Sequence, residues 1–302
     1  MSQSKPWGKE NVSYSMSCST WGDCRQKFAY KYIQRIPEQP GIWAPQGTTI
    51  HNALYDFHQN PEIEMSDLED MMHGYFDEEI EGKDFYEWRK GSQVLMDAGA
   101  VDKARMDAIH WIRGYVESVK SGDFPLIRFS RPPEQDVEAP VDGTDLVARG
   151  HVDFFVERVE ILPTGEIILR ADDGRIHMGD FKSASKKFNA WNQARADIDL
   201  QPTMYGLIMG EPITFHYVVI EKTAHHEKPS IKHIITHREE KDYEKLRNML
   251  TVFERDSDRL NGYENAVIYP EPTMSFGRFC GKMCSYKDIC WKDNFSHAEQ
   301  GE

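Results

Sequence analysis

Between residues 134 and 183 the chain reads as a succession of strands, and the connections between them leave room for little else. The runs DVEAPV, LVARGHVDFFVERVEIL, EIILRA and RIHMGDFKS are separated by turn residues at Pro163-Thr164-Gly165 and Asp172-Asp173-Gly174. Turns this short join antiparallel neighbours. Upstream the period differs. Residues 21–34, 48–58 and 101–120 carry apolar groups at helical intervals, with Pro37, Pro40, Gly41 and Pro45 marking the first connection. The period changes near Phe124-Pro125. Beyond residue 183 the pattern predicts a helix over 195–209, strands over 213–220 and 231–236, and a charged helix over 239–255. The expectation is an α+β chain with a helical region over 1–124, a core with a mixed, largely antiparallel sheet over 125–255, and a cysteine-bearing region over 256–302. With 302 residues and 39% hydrophobic content, a sizeable core is available.

The formal net charge of −14 argues, taken alone, against nucleic acid as a partner. The charge is not spread evenly. Residues 56–87 hold twelve acids against one base, Lys83, so this segment carries −11 and the rest of the chain only −3. Within it Leu68, Met71, Met72, Tyr75, Phe76 and Ile80 recur at helical spacing, which predicts one or two helices with a solvated acidic face. A mean hydropathy of −0.64 and the lack of any apolar run of 18 residues exclude a membrane-spanning helix. The opening MSQSKPWGKE has no apolar signal region. A cytoplasmic location is expected, in the host cell if the chain is viral.

The sharpest chemistry lies in GHVDFF and GDFKS, which place Asp153 on one strand and Asp180 with Lys182 on another. Side chains at i and i+2 of a strand share a face, so Asp180 and Lys182 project together. Two carboxylates suit a hard divalent cation such as Mg²⁺, and a neighbouring lysine can orient the nucleophile or neutralise charge on a phosphate. A D-x-K triplet alone is common on exposed strands. Its company here is specific. GTTIH ends in His51, VEAP contains Glu138, and QPTMY sets Gln201 and Tyr205 at helical i, i+4 spacing. This order resembles the RecB-like branch of the PD-(D/E)XK nucleases, with their restriction-endonuclease-like core. The resemblance implies that His51, Asp153 and Asp180, with the Phe181 carbonyl, hold Mg²⁺ or Mn²⁺. It makes Lys182 the catalytic lysine and lets Gln201 and Tyr205 brace the site or contact the DNA backbone. Glu138 either shapes the site or is a sheet-surface carboxylate. Asp180 stands where the family often has Glu, one methylene shorter.

Five cysteines are too few for a disulfide framework, and three of them, Cys280, Cys284 and Cys290, fall in C-x3-C-x5-C spacing. In a reducing compartment that spacing suggests a metal or cluster. The stretch SYSMSCSTWGDCRQKFAYKY resembles the corresponding segment of iron–sulfur RecB-like nucleases, which makes Cys24 a lone upstream ligand. Four thiolates suit a [4Fe–4S] cluster that closes the fold end to end, with zinc as the structural alternative. Cys18 is left as a small buried residue. Together the motifs resemble the CRISPR-associated "Cas-four" exonucleases and their viral relatives. The implied activity is metal-dependent hydrolysis of DNA, preferentially single-stranded, exonucleolytic and 5′ to 3′. The alternative is a non-catalytic DNA-binding or assembly partner in CRISPR adaptation or recombination. Homo-oligomers or such protein partners are open, and no membrane is expected. Arg25, Lys27, Lys31 and Arg35 around Cys24, and Lys182, Lys186, Lys187 and Arg195 near the proposed site, supply basic groups for DNA. GRFCGK lacks phosphate-loop spacing, and His226-Glu227 does not continue as H-E-x-x-H.

Overall fold

The structure is a computed structural model. It describes residues 11–20, 22, 24–38, 41–89, 92–185, 190–258, 284–286 and 289–290. In chain order its elements, besides π-helical segments at Ser15–Thr20 and Ala29–Ile33, are β1 (Asn11–Ser13), α1 (Arg25–Phe28), α2 (Trp43–Gln59), α3 (Met65–Ile80), β2 (Tyr86–Arg89), β3 (Ser92–Leu95), α4 (Ala98–Lys120) and β4 (Leu126–Phe129). There follow β5 (Gln135–Pro140), β6 (Val147–Val152), β7 (Phe154–Ile161), β8 (Glu166–Arg170), β9 (Ile176–Ser185), α5 (Gln193–Ile198), α6 (Leu200–Met209), β10 (Ile213–Lys222), β11 (Ser230–Arg238) and α7 (Glu240–Asp258). The large sheet runs β11-β10-β9-β7-β4, with β8 also on β7. Only β9 and β10 pair in parallel within it, and α5 with α6 forms their crossover. A smaller sheet runs β1-β6-β5, and β2 with β3 makes a hairpin.

The α+β expectation holds, and two departures from the sequence reading build the site. The run 146–162 reads as one strand, yet it breaks at Asp153, so β6 joins the small sheet and β7 the large one. Asp fits poorly into a central ladder. Here its carboxylate accepts a main-chain N–H from another strand instead: Phe181 N donates to Asp153 Oδ2 at 2.8 Å. The run 195–209 likewise breaks at Asp199, whose backbone is extended (φ −66°, ψ 131°) and whose Oδ1 accepts from Gln201 N to cap α6. Pro202 is the physical cause, because its ring would clash with the Ile198 carbonyl of a continuous helix, while it is tolerated in the first turn of α6.

The core lies on both faces of the sheet. Alternation along β10 sends Phe215, Tyr217 and Val219 towards Met204, Tyr205 and Ile208 of α6 and Leu246, Leu250 and Phe253 of α7. Val218 and Ile220 point the other way, with Phe181, towards Ile50, Leu54 and Phe57 of α2 and Ile112 and Tyr115 of α4. A strand covered on both faces is apolar throughout, as β10 largely is. The acidic segment forms α3, the hairpin's first strand and their flanks. Leu68, Met72 and Phe76 are buried, while Glu69 and Asp77 pair with Arg113 and Arg105 of α4 at 2.5 and 2.6 Å. Among the described residues, no helix is long and apolar enough to cross a membrane.

Candidate active site

The site forms where β7 and β9 part company. The two strands pair only at Phe154–Gly179 and Phe155–Met178, so beyond Gly179 this edge of β9 faces the Asp153 break. Gly179 is required at that crossing. A Cβ there would lie 2.3 Å from the His216 carbonyl and 2.4 Å from the Phe154 ring. Past it, Asp180 and Lys182 project to the α6 side of the sheet and Phe181 to the α2 side, as the two-residue period dictates.

On the α6 side the polar groups close on one another. Lys182 Nζ lies 2.6 Å from Asp180 Oδ2 and donates to Gln201 Oε1 at 2.9 Å. Gln201 Nε2 donates to Asp180 Oδ1 at 2.8 Å and lies 3.3 Å from the Tyr205 hydroxyl. That hydroxyl donates to the His151 carbonyl at 2.5 Å, tying α6 to the strand just before Asp153. Gly150 makes this possible, because a Cβ at that position would sit 2.2 Å from the Tyr205 ring. Both motif glycines are therefore demanded by close approach.

On the α2 side, His51 Nδ1 stands 3.3 Å from Asp153 Oδ2 and the ring is in hydrogen-bonding contact with the Phe181 backbone. Tyr55, one turn later, packs with His51 on Phe181. The structure thus brings His51, Asp153, Asp180, Phe181, Lys182, Gln201 and Tyr205 together. It does not bring Glu138, which is more than half exposed and pairs with Arg149 across the small sheet. The acid that stands here is Glu134. Its N–H donates to the Asp153 carbonyl at 3.0 Å, and its carboxylate lies 3.6 Å from His151 Nε2 and beside His51, Tyr55 and Asp153. Glu134 has φ +57°, an uncommon conformation for a non-glycine residue. Its one sequence signal is its place directly after Pro132-Pro133, where the chain must turn.

Burial and like charge dominate the electrostatics. Asp153 and Asp180 are 6% and 4% exposed. Burial, and then the neighbouring Asp180 charge, push the Asp153 carboxyl well above its ordinary range. Burial lowers His51, which favours a neutral ring with a lone pair to offer. Burial also opposes the Lys182 charge, but Asp180, with Asp153 and Asp199 behind it, more than offsets this and holds the ammonium above its usual pKa.

Among the described residues, no group of three or more His, Cys, Asp or Glu side chains is gathered into a finished metal-binding geometry. The chemistry of the donors nevertheless fits a hard divalent cation: two buried carboxylates, an imidazole and a backbone carbonyl. Asp180 Oδ2 is buried and has no aligned hydrogen-bond donor, only the Lys182 charge. A cation would relieve the repulsion that raises Asp153.

At the chain ends, Cys24 is buried and its Sγ accepts from Lys27 N at 3.4 Å, capping α1. Residues 284–286 dock beside it. Tyr286 packs on Tyr30 and donates to the Ile36 carbonyl at 3.0 Å, while Ser285 donates to Glu38 at 2.6 Å. Burial raises the Cys284 pKa, and the Cys24 thiol is near enough to add to the rise. Cys290 N donates to the Tyr286 carbonyl. Cys280 lies outside the described residues, as do Lys186 and Lys187. Cys18 is partly buried, and burial pushes its thiol up to about 11.

Residues 13–291 match the family model of the PD-(D/E)XK nuclease superfamily. No curated protein matches the sequence. Among solved structures, a protein from Eubacterium rectale provisionally named an exonuclease shares 14% identity, with 94% of this chain and 88% of that one covered and a TM-score of 0.45. The protein designated SSO0001 also shares 14% identity, over 63% of this chain and 74% of that one, with a TM-score of 0.30. The family match spans nearly the whole chain and includes every motif that meets at the β7–β9 fork, so the chain belongs to the PD-(D/E)XK nuclease superfamily.

Proposed function

We propose that this protein is a divalent-metal-dependent deoxyribonuclease of the iron–sulfur RecB-like kind, acting as an exonuclease on single-stranded DNA with 5′ to 3′ polarity. The observation that carries the reading is the meeting of Asp153, Asp180 and Lys182 at the end of a broken strand, with Gln201 bridging the last two. His51, Asp153, Asp180 and the Phe181 carbonyl would hold Mg²⁺ or Mn²⁺. When bound, the cation supplies Lewis-acid stabilisation of the phosphoryl group.

The chain's own residues do the rest. Lys182, kept as an ammonium by Asp180, donates to the phosphate oxygens and neutralises charge as the phosphodiester bond breaks. Gln201 fixes the Lys182 and Asp180 side chains relative to each other, so neither must reorganise during the reaction. Tyr205 anchors α6 to the strand that presents Asp153. Cys24, Cys280, Cys284 and Cys290 are the proposed cluster ligands. The nearness of Cys24 to Cys284, some 260 residues apart in the chain, supports a joint between the two ends.

Asp153→Ala protein incubated with single-stranded DNA and Mn²⁺ tests the site. Loss of cleavage, matched by EDTA treatment of the wild type with DNA binding retained, is expected. Cleavage at the wild-type rate would refute the site assignment. Metal-independent binding without any turnover would favour an assembly role instead.

A further inference from the structure

A cavity of about 410 Å³ opens beside the catalytic fork, lined by His58, Arg128, Phe129, Arg131, Pro132 and Pro133 together with Gln59 and Glu157. Its size lies within the range of small-ligand pockets. One short segment walls both places. Ser130 N donates to the Phe155 carbonyl at 2.9 Å and Glu134 N to the Asp153 carbonyl at 3.0 Å, so residues 130–134 are pinned along the start of β7. Arg131, Pro132 and Pro133 line the cavity, and Glu134 next to them reaches the catalytic acids. Along β7, the step from Asp153 to Glu157 is about 13 Å at 3.3 Å per residue.

The charges in this cavity are unequally spent. Glu157 is held by Arg158, and Glu160 accepts from both Arg158 and Arg128. Arg128 uses its Nε for Glu160, and among the described residues its two terminal nitrogens donate to nothing. Arg131 is exposed, lies 4.5 Å over the Phe155 ring and has no ion-pair partner among the described residues. His58 contributes no charge. Both its nitrogens are used, by the Ile127 carbonyl and the Tyr115 hydroxyl, and burial lowers its pKa to about 3. The pocket therefore offers uncommitted guanidinium donors on one side and an apolar wall of two prolines and Phe129 on the other. Guanidinium groups recognise phosphate through paired donors, and an apolar wall suits the adjoining sugar or base.

We infer that this cavity is a strand-binding subsite that takes a phosphate of the same DNA strand whose scissile bond lies at the fork, with Arg131 as its principal contact. The inference rests on the nuclease reading, since that reading supplies the strand. The segment 130–134 would then fix the register between the held phosphate and the catalytic acids.

Binding and cleavage are read separately so that the two claims can fail independently. Arg131→Glu and Arg131→Lys are compared with wild type for binding of a labelled single-stranded oligonucleotide in EDTA over a salt series, with 5′-phosphate and 5′-hydroxyl ends. Cleavage with Mn²⁺ is followed in parallel. Arg131→Glu is expected to weaken binding about tenfold, the size of one lost charge-assisted contact. It should also reduce the log–log salt slope by about 0.7, one phosphate on a single strand. Arg131→Lys should fall between, because the charge is kept and the paired donors are lost. Equal loss with both ends identifies an internal phosphodiester, and loss confined to the phosphorylated end identifies a terminal phosphate. Either outcome supports the subsite. Unchanged affinity and slope in Arg131→Glu overturn it, even if wild-type protein cleaves DNA. Failure of wild type to cleave, with the slope change present, removes the nuclease reading and leaves the phosphate site.

Discussion

Glu134 and Glu138 stand four residues apart, and their surroundings give them opposite fates. Glu138 ends in solvent, paired with Arg149, where such a bridge contributes little. Glu134 is turned by its positive φ towards His51, Tyr55 and Asp153. Glu134→Gln is expected to slow DNA cleavage by about tenfold, roughly 1.4 kcal/mol of barrier, while Glu138→Gln leaves the rate within about twofold of wild type. Steady-state rates with Mn²⁺ decide it, and the reverse order would contradict the geometry. The contrast shows what single residues disclose in sequence. The Asp180–Lys182 and Gln201–Tyr205 pairings follow from local periods of two and four, and both are found together in the fold. Glu134 is placed by a backbone turn and a hydrogen bond to Asp153 at the break between β6 and β7, and no local period encodes that.

At the scale of elements, the breaks matter more than the runs. The Asp153 break and the Asp199 break were both invisible to periodicity, because each side of the break keeps the same period. Their causes were nonetheless in the sequence: an aspartate amid β-branched and aromatic residues, and a proline three residues past Asp199. The parallel pairing of β9 and β10 carries a second consequence. Across β9, β10 and β11, His177, His216 and His233 form a chain with ring nitrogens 3.1 and 2.9 Å apart, ending on Asp173 at 2.9 Å. Burial holds His216 well below the usual histidine pKa, and burial lowers His233 to about 4. The unfolded chain, with histidines near 6.5, then binds more protons than the folded one between that value and the folded ones. Stability therefore rises with pH in this window and is lost as pH falls from about 6.5 towards 4. Thermal unfolding from pH 7.5 to 4.5 should show a falling Tm, and His216→Gln a flatter profile. A Tm that stays level for wild type across this range would contradict the lowered pKa values of buried His216 and His233.

At the scale of the whole molecule, two distant parts of the chain are joined and the charge is concentrated in one segment. Residues 284–286 rest on 24–38, so segments some 250 residues apart in the chain are held together. If a cluster sits at this joint, Cys24→Ser protein should lose the iron and sulfide content and brown colour of wild type and unfold at lower temperature, since metal binding is folding free energy. Stoichiometric zinc in colourless wild-type protein would contradict the iron–sulfur assignment. The net charge of −14 also finds its place. Much of it belongs to α3 and its flanks, where α4 arginines hold Glu69 and Asp77, and it does not describe the candidate site at the β7–β9 fork. The most direct test of that fork is the rate at which Lys182→Ala degrades single-stranded DNA labelled separately at its 5′ and 3′ ends, with Mn²⁺ and with the fold verified by circular dichroism. The expected result is a fall of about a hundredfold or more, as for loss of one preorganised charge contact, with wild type releasing short products from the 5′ label first. A folded Lys182→Ala protein that degrades DNA at the wild-type rate would contradict the central claim.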